Sequence, residues 1–136
     1  MIDRLAVRAA AMLAIGLSAP AMAAEDPYLG VWSNPKGTVH VRSHHCGASM
    51  CGTVVWASDK AKSDAARGDT KELVGLQLFR DFRKDKAGNW RGKVFVPDIN
   101  KTFSGSIKVV NVNTLTGSGC LVGRVGCKSQ TWTRLP

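Results

Sequence analysis

The chain has 136 residues, 44% of them hydrophobic, with 19 Lys and Arg against 10 Asp and Glu and a formal net charge of +9. That length fits one domain rather than several. The longest apolar run falls short of the about 20 residues a membrane-spanning helix needs, so an integral helical membrane protein is excluded.

The first element in chain order is a leader. A basic start with Arg4 and Arg8 is followed by the apolar run "AAAMLAIGLSAP" (9–20) and the small-x-small exit Ala21-Met22-Ala23. That order is expected of a secretory signal peptide over residues 1–23, cleaved after Ala23 or alternatively after Ala24. No cysteine stands near the exit to carry a lipid anchor. The mature chain, residues 24–136, is then one domain in a periplasmic or secreted location. Removing Asp3, Arg4 and Arg8 from the totals leaves 17 basic and 9 acidic residues. Export removes nucleic acid from the expected partners. It leaves anionic envelope components such as lipid headgroups, lipopolysaccharide and wall polymers, with peripheral membrane contact. The alternative is that the charge serves solubility alone.

From residue 28 onward, apolar and polar residues alternate in short runs, the pattern of strands. "YLGVWS" (28–33), "GTVHVRS" (37–43) and "CGTVVWA" (51–57) read as the first three. "SDKAKSDAARGDTKE" (58–72) follows, irregular, with room for a short helix over Lys60–Arg67 but no apolar stripe to bury, so it is expected to be a mobile flap. "LVGLQLFRDF" (73–82), "NWRGKVFVPD" (89–98), "KTFSGSIKVVN" (101–111), "TLTGSGCLV" (114–122) and "KSQTWTRL" (128–135) complete about eight strands. "KDKAGN" (84–89) and "DINK" (98–101) have the composition of tight hairpin turns. Eight short strands in meander order hide their edges by closing on themselves, so the fold class is all-β, an antiparallel up-and-down barrel, with a sandwich as the alternative. Such a barrel holds packed side chains or one small ligand.

Closure brings the first and last strands together. Trp32 and Arg134 are then neighbours, and the guanidinium can lie over the indole face for about 0.5–2 kcal/mol. The aromatic residues Tyr28, Trp32, Trp56, Phe79, Phe82, Trp90, Phe95, Phe103 and Trp132 are expected to be mostly core, a few of them lining an apolar cup at one end.

A Gly-x-Trp first strand with an arginine on the last resembles the signature of lipocalin-like (calycin) barrels. "YLGVWS", "CGTVVWA", "GKVFVPDINKTFSG" (92–105) and "GSGCLVGRVGCKSQTWTR" (117–134), in that order, resemble the exported bacterial family known as domain of unknown function 2147. The resemblance covers nearly all of the mature chain. It implies a lipocalin-like barrel in the cell envelope and no established activity. Many members have an acidic pair after the first-strand tryptophan and Gly-Lys-x-Tyr after the proline. Here "SNPKG" (33–37) and "DINKTF" (98–103) stand instead, so no role attached to those residues carries over.

Four cysteines in an exported chain favour disulfides. Cys46 and Cys51 enclose four residues, enough for a hairpin loop with the two cysteines facing each other at the strand ends. Cys120 and Cys127 enclose "LVGRVG". The expected bridges are Cys46–Cys51 and Cys120–Cys127, each closing a small ring for about 2–2.5 kcal/mol. The stretch "HHCGASMCG" (44–52) also contains copper or zinc ligand types in His44, His45, Cys46, Met50 and Cys51. Adjacent histidines on a strand point to opposite faces, and oxidised cysteines do not ligate, so no metal and no cofactor is expected; a His44 or His45 site remains the alternative. There is no G-x-S-x-G, H-E-x-x-H or phosphate-binding loop, and no catalytic residue is assigned. The sequence reads as a non-enzymatic module that binds an apolar or amphipathic molecule, or an anionic envelope component, at one barrel end beneath residues 58–72. A solid structural barrel on anionic surfaces is the alternative.

Overall fold

The computed structural model describes residues 14–16, 26–120 and 126–136. The cleavage positions, nearly all of the leader, and Leu121 and Val122 of the expected seventh strand lie outside the described residues.

Eight strands form a closed antiparallel barrel in sequential order. They are β1 (Gly30–Ser33), β2 (Val39–Cys46), β3 (Ser49–Ala57), β4 (Gln77–Lys84), β5 (Trp90–Val96), β6 (Lys101–Asn111), β7 (Thr114–Cys120) and β8 (Lys128–Arg134). One helix, α1 (Asp59–Arg67), follows β3. The meander puts the β1–β2, β3–β4, β5–β6 and β7–β8 connections at one end and the remaining turns with the chain start at the other.

The seam is short. β1 and β8 pair only through Trp32 with Arg134 and Ser33 with Thr133. Arg134 compensates by stacking its guanidinium 4.3 Å from the Trp32 ring centre. The same fork donates to the carbonyls of Leu29 (2.5 Å), Pro27 (2.5 Å) and Val112 (2.6 Å). Five fixed donors in a plane make this possible for arginine and not for lysine.

β4 differs from its expected range. Leu73–Leu76 forms a turn, with Gly75 at φ 94° and its N–H on the Val54 carbonyl, so the strand starts at Gln77. In a regular strand Phe79 and Phe82 face opposite sides. A one-residue bulge, where the pairing steps from Arg80↔Lys93 to Arg83↔Arg91, places both rings inside. Asp81 takes φ 53° within it. Phe82 is fully buried, 6.0 Å from Phe79. Inward glycines make room for the rings: a Cβ at Gly92 would sit 2.7 Å from Phe82, and one at Gly52 would sit 2.4 Å from Phe79.

The 58–72 segment is not the loose flap the sequence implies. Ser58 caps α1 by accepting from the Ala61 N–H at 3.1 Å, and Asp59 and Arg67 match the helix dipole. Ala61 and Ala65, one turn apart, form a narrow apolar stripe too small to register as one in the sequence. Ala65 is fully buried and Ala61 packs against the core. The helix ends at Gly68, where a Cβ would meet the Pro97 carbonyl at 2.0 Å. That carbonyl belongs to a 3₁₀ turn, Pro97–Ile99, with Asn100 in the left-handed region. The turn closes the β5–β6 hairpin, with Val96 paired to Lys101, one residue earlier than the expected 98–101 turn. Among the described residues no helix is long and apolar enough to cross a membrane.

Candidate ligand-binding site

The two barrel ends differ. At the end near the chain start, Tyr28 is buried and packs edge-on against Trp90, ring centres 4.5 Å apart. Trp32 Nε1 donates to the Tyr28 carbonyl at 3.0 Å and to Ser43 Oγ at 3.2 Å, and Ser43 Oγ also donates to that carbonyl. The Tyr28 hydroxyl meets His45 Nδ1 at 3.2 Å and Asp26 Oδ2 at 3.4 Å. Burial, then the Asp26 charge, pushes the Tyr28 phenol above its ordinary pKa. This end is plugged.

The other end is open. A cavity of about 590 Å³ runs into the barrel from there, its walls including Leu78, Phe79, Val94, Ile107 and Trp132. Phe79 and Trp132 meet edge-to-face at 5.5 Å and close off the depth. On β7, beside the strand that carries Trp132, the wall is left unfilled by glycine: a Cβ at Gly117 would meet nothing within 4 Å. The volume falls in the range of small-molecule sites, about 300–1,000 Å³.

The rim is polar. Lys36 comes from the β1–β2 connection, Lys60 and Asp64 from α1, and Asp98 from the 3₁₀ turn. Asp64 is held by Lys60 Nζ at 3.0 Å and by Arg67. The Lys60 hydrogen bond is the main reason its carboxyl lies below the usual carboxylate range, with Lys60, Arg67 and Lys36 adding their charge. On β8 the register Gly119↔Lys128, Gly117↔Gln130 and Leu115↔Trp132 puts Lys128, Gln130 and Trp132 on one face. All three line the cavity. Trp132 Nε1 donates to Gln130 Oε1 at 3.3 Å.

Of the residues singled out from sequence, Phe79, Phe95, Phe103 and Trp132 line the cavity, whereas the cysteines and the histidines beside them lie elsewhere. Cys46 is bonded to Cys51 and Cys120 to Cys127, with Cα separations of 5.7 and 4.0 Å. The first bridge does not join facing residues. Cys46 pairs with Ser49 and Cys51 with His44 across a Gly47-Ala48 turn, so the bridge is diagonal and the hairpin tighter than C-x4-C implies. His44 Nε2 meets Thr53 Oγ1 at 2.9 Å, whereas His45 turns to Tyr28 at the plugged end. The two rings thus meet different partners, and the described residues contain no group of three His, Cys, Asp or Glu placed to hold a metal ion. Trp56, expected in the core, is 44% exposed and stacks on His40 at 4.4 Å on the outer face. The mouth lysines Lys36 and Lys128 went unnoticed in the sequence. Period-two counting from an inward Trp132 finds Lys128; Lys36, in a connection, has no comparable signal.

The family described as "Uncharacterized protein conserved in bacteria (DUF2147)" matches residues 30–134. Among solved structures, the chain is similar to protein HP1028 from the human pathogen Helicobacter pylori, which belongs to the lipocalin family. The TM-score is 0.61 at 16% identity, covering 80% of this chain and 83% of that one. At that identity the likeness concerns the fold. No curated protein matches the chain.

Proposed function

The chain belongs to the DUF2147 family, and from that premise we propose that it is an exported, non-enzymatic binding module. It takes a small, largely apolar molecule into the open end of a lipocalin-like barrel. The observation that carries this reading is the 590 Å³ cavity with an apolar floor and a polar rim. A solid barrel would fill that space with side chains; here Gly117 and Gly119 line it instead. Export is supported by the basic-apolar-small order of residues 1–23 and by two disulfides.

The test is native mass spectrometry of the exported protein incubated with a bacterial lipid extract. Its intact mass should correspond to a chain starting at Ala24 (or Glu25 for the alternative cleavage) with both disulfides formed. A stoichiometric small-molecule adduct is expected. Gly117→Val projects a side chain into open space and replaces a glycine in a strand interior by a strand former. It should leave the melting temperature unchanged or raised while reducing binding at least about tenfold, a change of about 1.4 kcal/mol. Persistent absence of any adduct on the wild type, or undiminished binding by the variant, defeats the reading.

A further inference from the structure

We propose that the cavity selects an amphiphile with one aliphatic chain and an anionic head, bound tail-inward with its head between Lys128 and Lys36. This rests on the binding-module reading above and adds the charge and orientation of the ligand.

Three observations carry it. The first is a polarity gradient along one strand face. From the depth of the cavity outward, β8 presents buried Trp132, then the Gln130 amide, then the Lys128 ammonium. Inward positions of a small barrel are ordinarily apolar, so a lysine at the third is a departure that a buried tail and an emerging anionic head account for. Its methylene stem can lie along the wall while the ammonium reaches the mouth.

The second is the pairing state of the rim charges. Lys60 is engaged with Asp64, which Arg67 also holds. Lys36 and Lys128 make no hydrogen bond or ion pair among the described residues. Lys36 adds its charge to those around Asp64 without pairing to it, and two cations without an ion-pair partner leave the mouth with anion-binding capacity that its own carboxylates fill only in part.

The third is position. In the closed order β8 neighbours β1, and Lys36 stands in the connection leaving β1. The two lysines therefore belong to adjacent segments of the rim. Asp98 also lines the cavity, in the β5–β6 connection, four positions round the ring from the β1–β2 connection that carries Lys36 and two strands from β8. An anionic head is drawn to the two lysines and repelled by Asp98, which favours the β8–β1 part of the mouth. A cationic head would leave both lysines uncompensated.

Dodecanoate, dodecyl phosphate, 1-dodecanol and dodecyltrimethylammonium share one chain and differ in the head. Each is titrated calorimetrically, below its aggregation concentration, into the mature disulfide-bonded protein. At low salt, dodecanoate or dodecyl phosphate should bind at least about tenfold tighter than dodecanol. The better of the two identifies the head. That preference should shrink with added salt, as expected for a contact in reach of screening ions, and should vanish in the Lys36→Met/Lys128→Met double variant. Dodecanol binding by that variant should match the wild type, which shows that the cavity is intact. Equal affinity for dodecanol and both anions, or preference for the cation, overturns the proposal while the binding-module reading stands. Loss of dodecanol binding by the variant overturns the assignment of these lysines to the head. Failure of all four probes to bind the wild type defeats the binding of aliphatic chains itself.

Discussion

Gly92 and Gly117 show how one residue type answers opposite demands inside a single barrel. Both lie on inward positions. Beside Gly92 stands the Phe82 ring at 2.7 Å from an added Cβ, with the Arg80 carbonyl at 2.6 Å; beside Gly117 there is nothing within 4 Å. The first glycine is packing, the second is space. Gly92→Ala must therefore push a buried ring or a backbone carbonyl aside. Overpacking of this kind costs about 1–3 kcal/mol, to be seen as a lowered midpoint in urea denaturation at unchanged m-value. A shift below about 0.5 kcal/mol would mean that the Phe82 seat is looser than these distances imply. Sequence reading cannot separate the two glycines, because the difference lies in what faces them across the barrel.

At the scale of elements, the strands were legible, and so was room for a short helix over Lys60–Arg67, but the docking of that helix was not. Val39 and Val41 alternate with His40 and Arg42, and β2 follows; "KDKAGN" reads as a turn, and Asp85 there accepts from the Ala87 and Asn89 N–H groups. Both signals are local. The apolar stripe of α1 is only Ala61 and Ala65, and what makes it sufficient is the Pro97 turn against which Gly68 fits. That turn is some thirty residues away in sequence. Because the helix is held by a small contact, its cap matters: Ser58→Ala should cost α1 about 0.5–2 kcal/mol. The expected result is faster amide exchange over 59–67 with little change in the barrel strands. If exchange stays at the wild-type rate, the docking on Pro97 suffices without the cap. β4 shows a different loss of legibility, since a bulge at Asp81 changes the period and only the partner strand reveals it.

The barrel as a whole depends on a seam of two paired positions. Arg134 holds it by reaching three carbonyls at once and covering Trp32. Arg134→Met keeps the apolar stem and removes every one of those donors. With hydrogen bonds from charged groups contributing about 1.5–3 kcal/mol each and non-additively, a loss of about 3 kcal/mol or more is expected. Arg134→Lys should recover less than half of it, because an ammonium cannot present the fork. Thermal unfolding of the two variants checks this, and equal stability of wild type and Arg134→Met would remove the closing role. Here the sequence was informative, since Gly-x-Trp at one terminus and Trp-x-Arg at the other are short-range motifs whose meeting follows from closure. By itself the sequence determined the strand meander, several of its turns and the cysteines that can close short loops, because alternation and turn chemistry act over a few residues. Only the tertiary structure decided which end is plugged, where the interior is hollow and that Lys128 faces the mouth, because those depend on register and on side chains brought together from strands far apart in the chain.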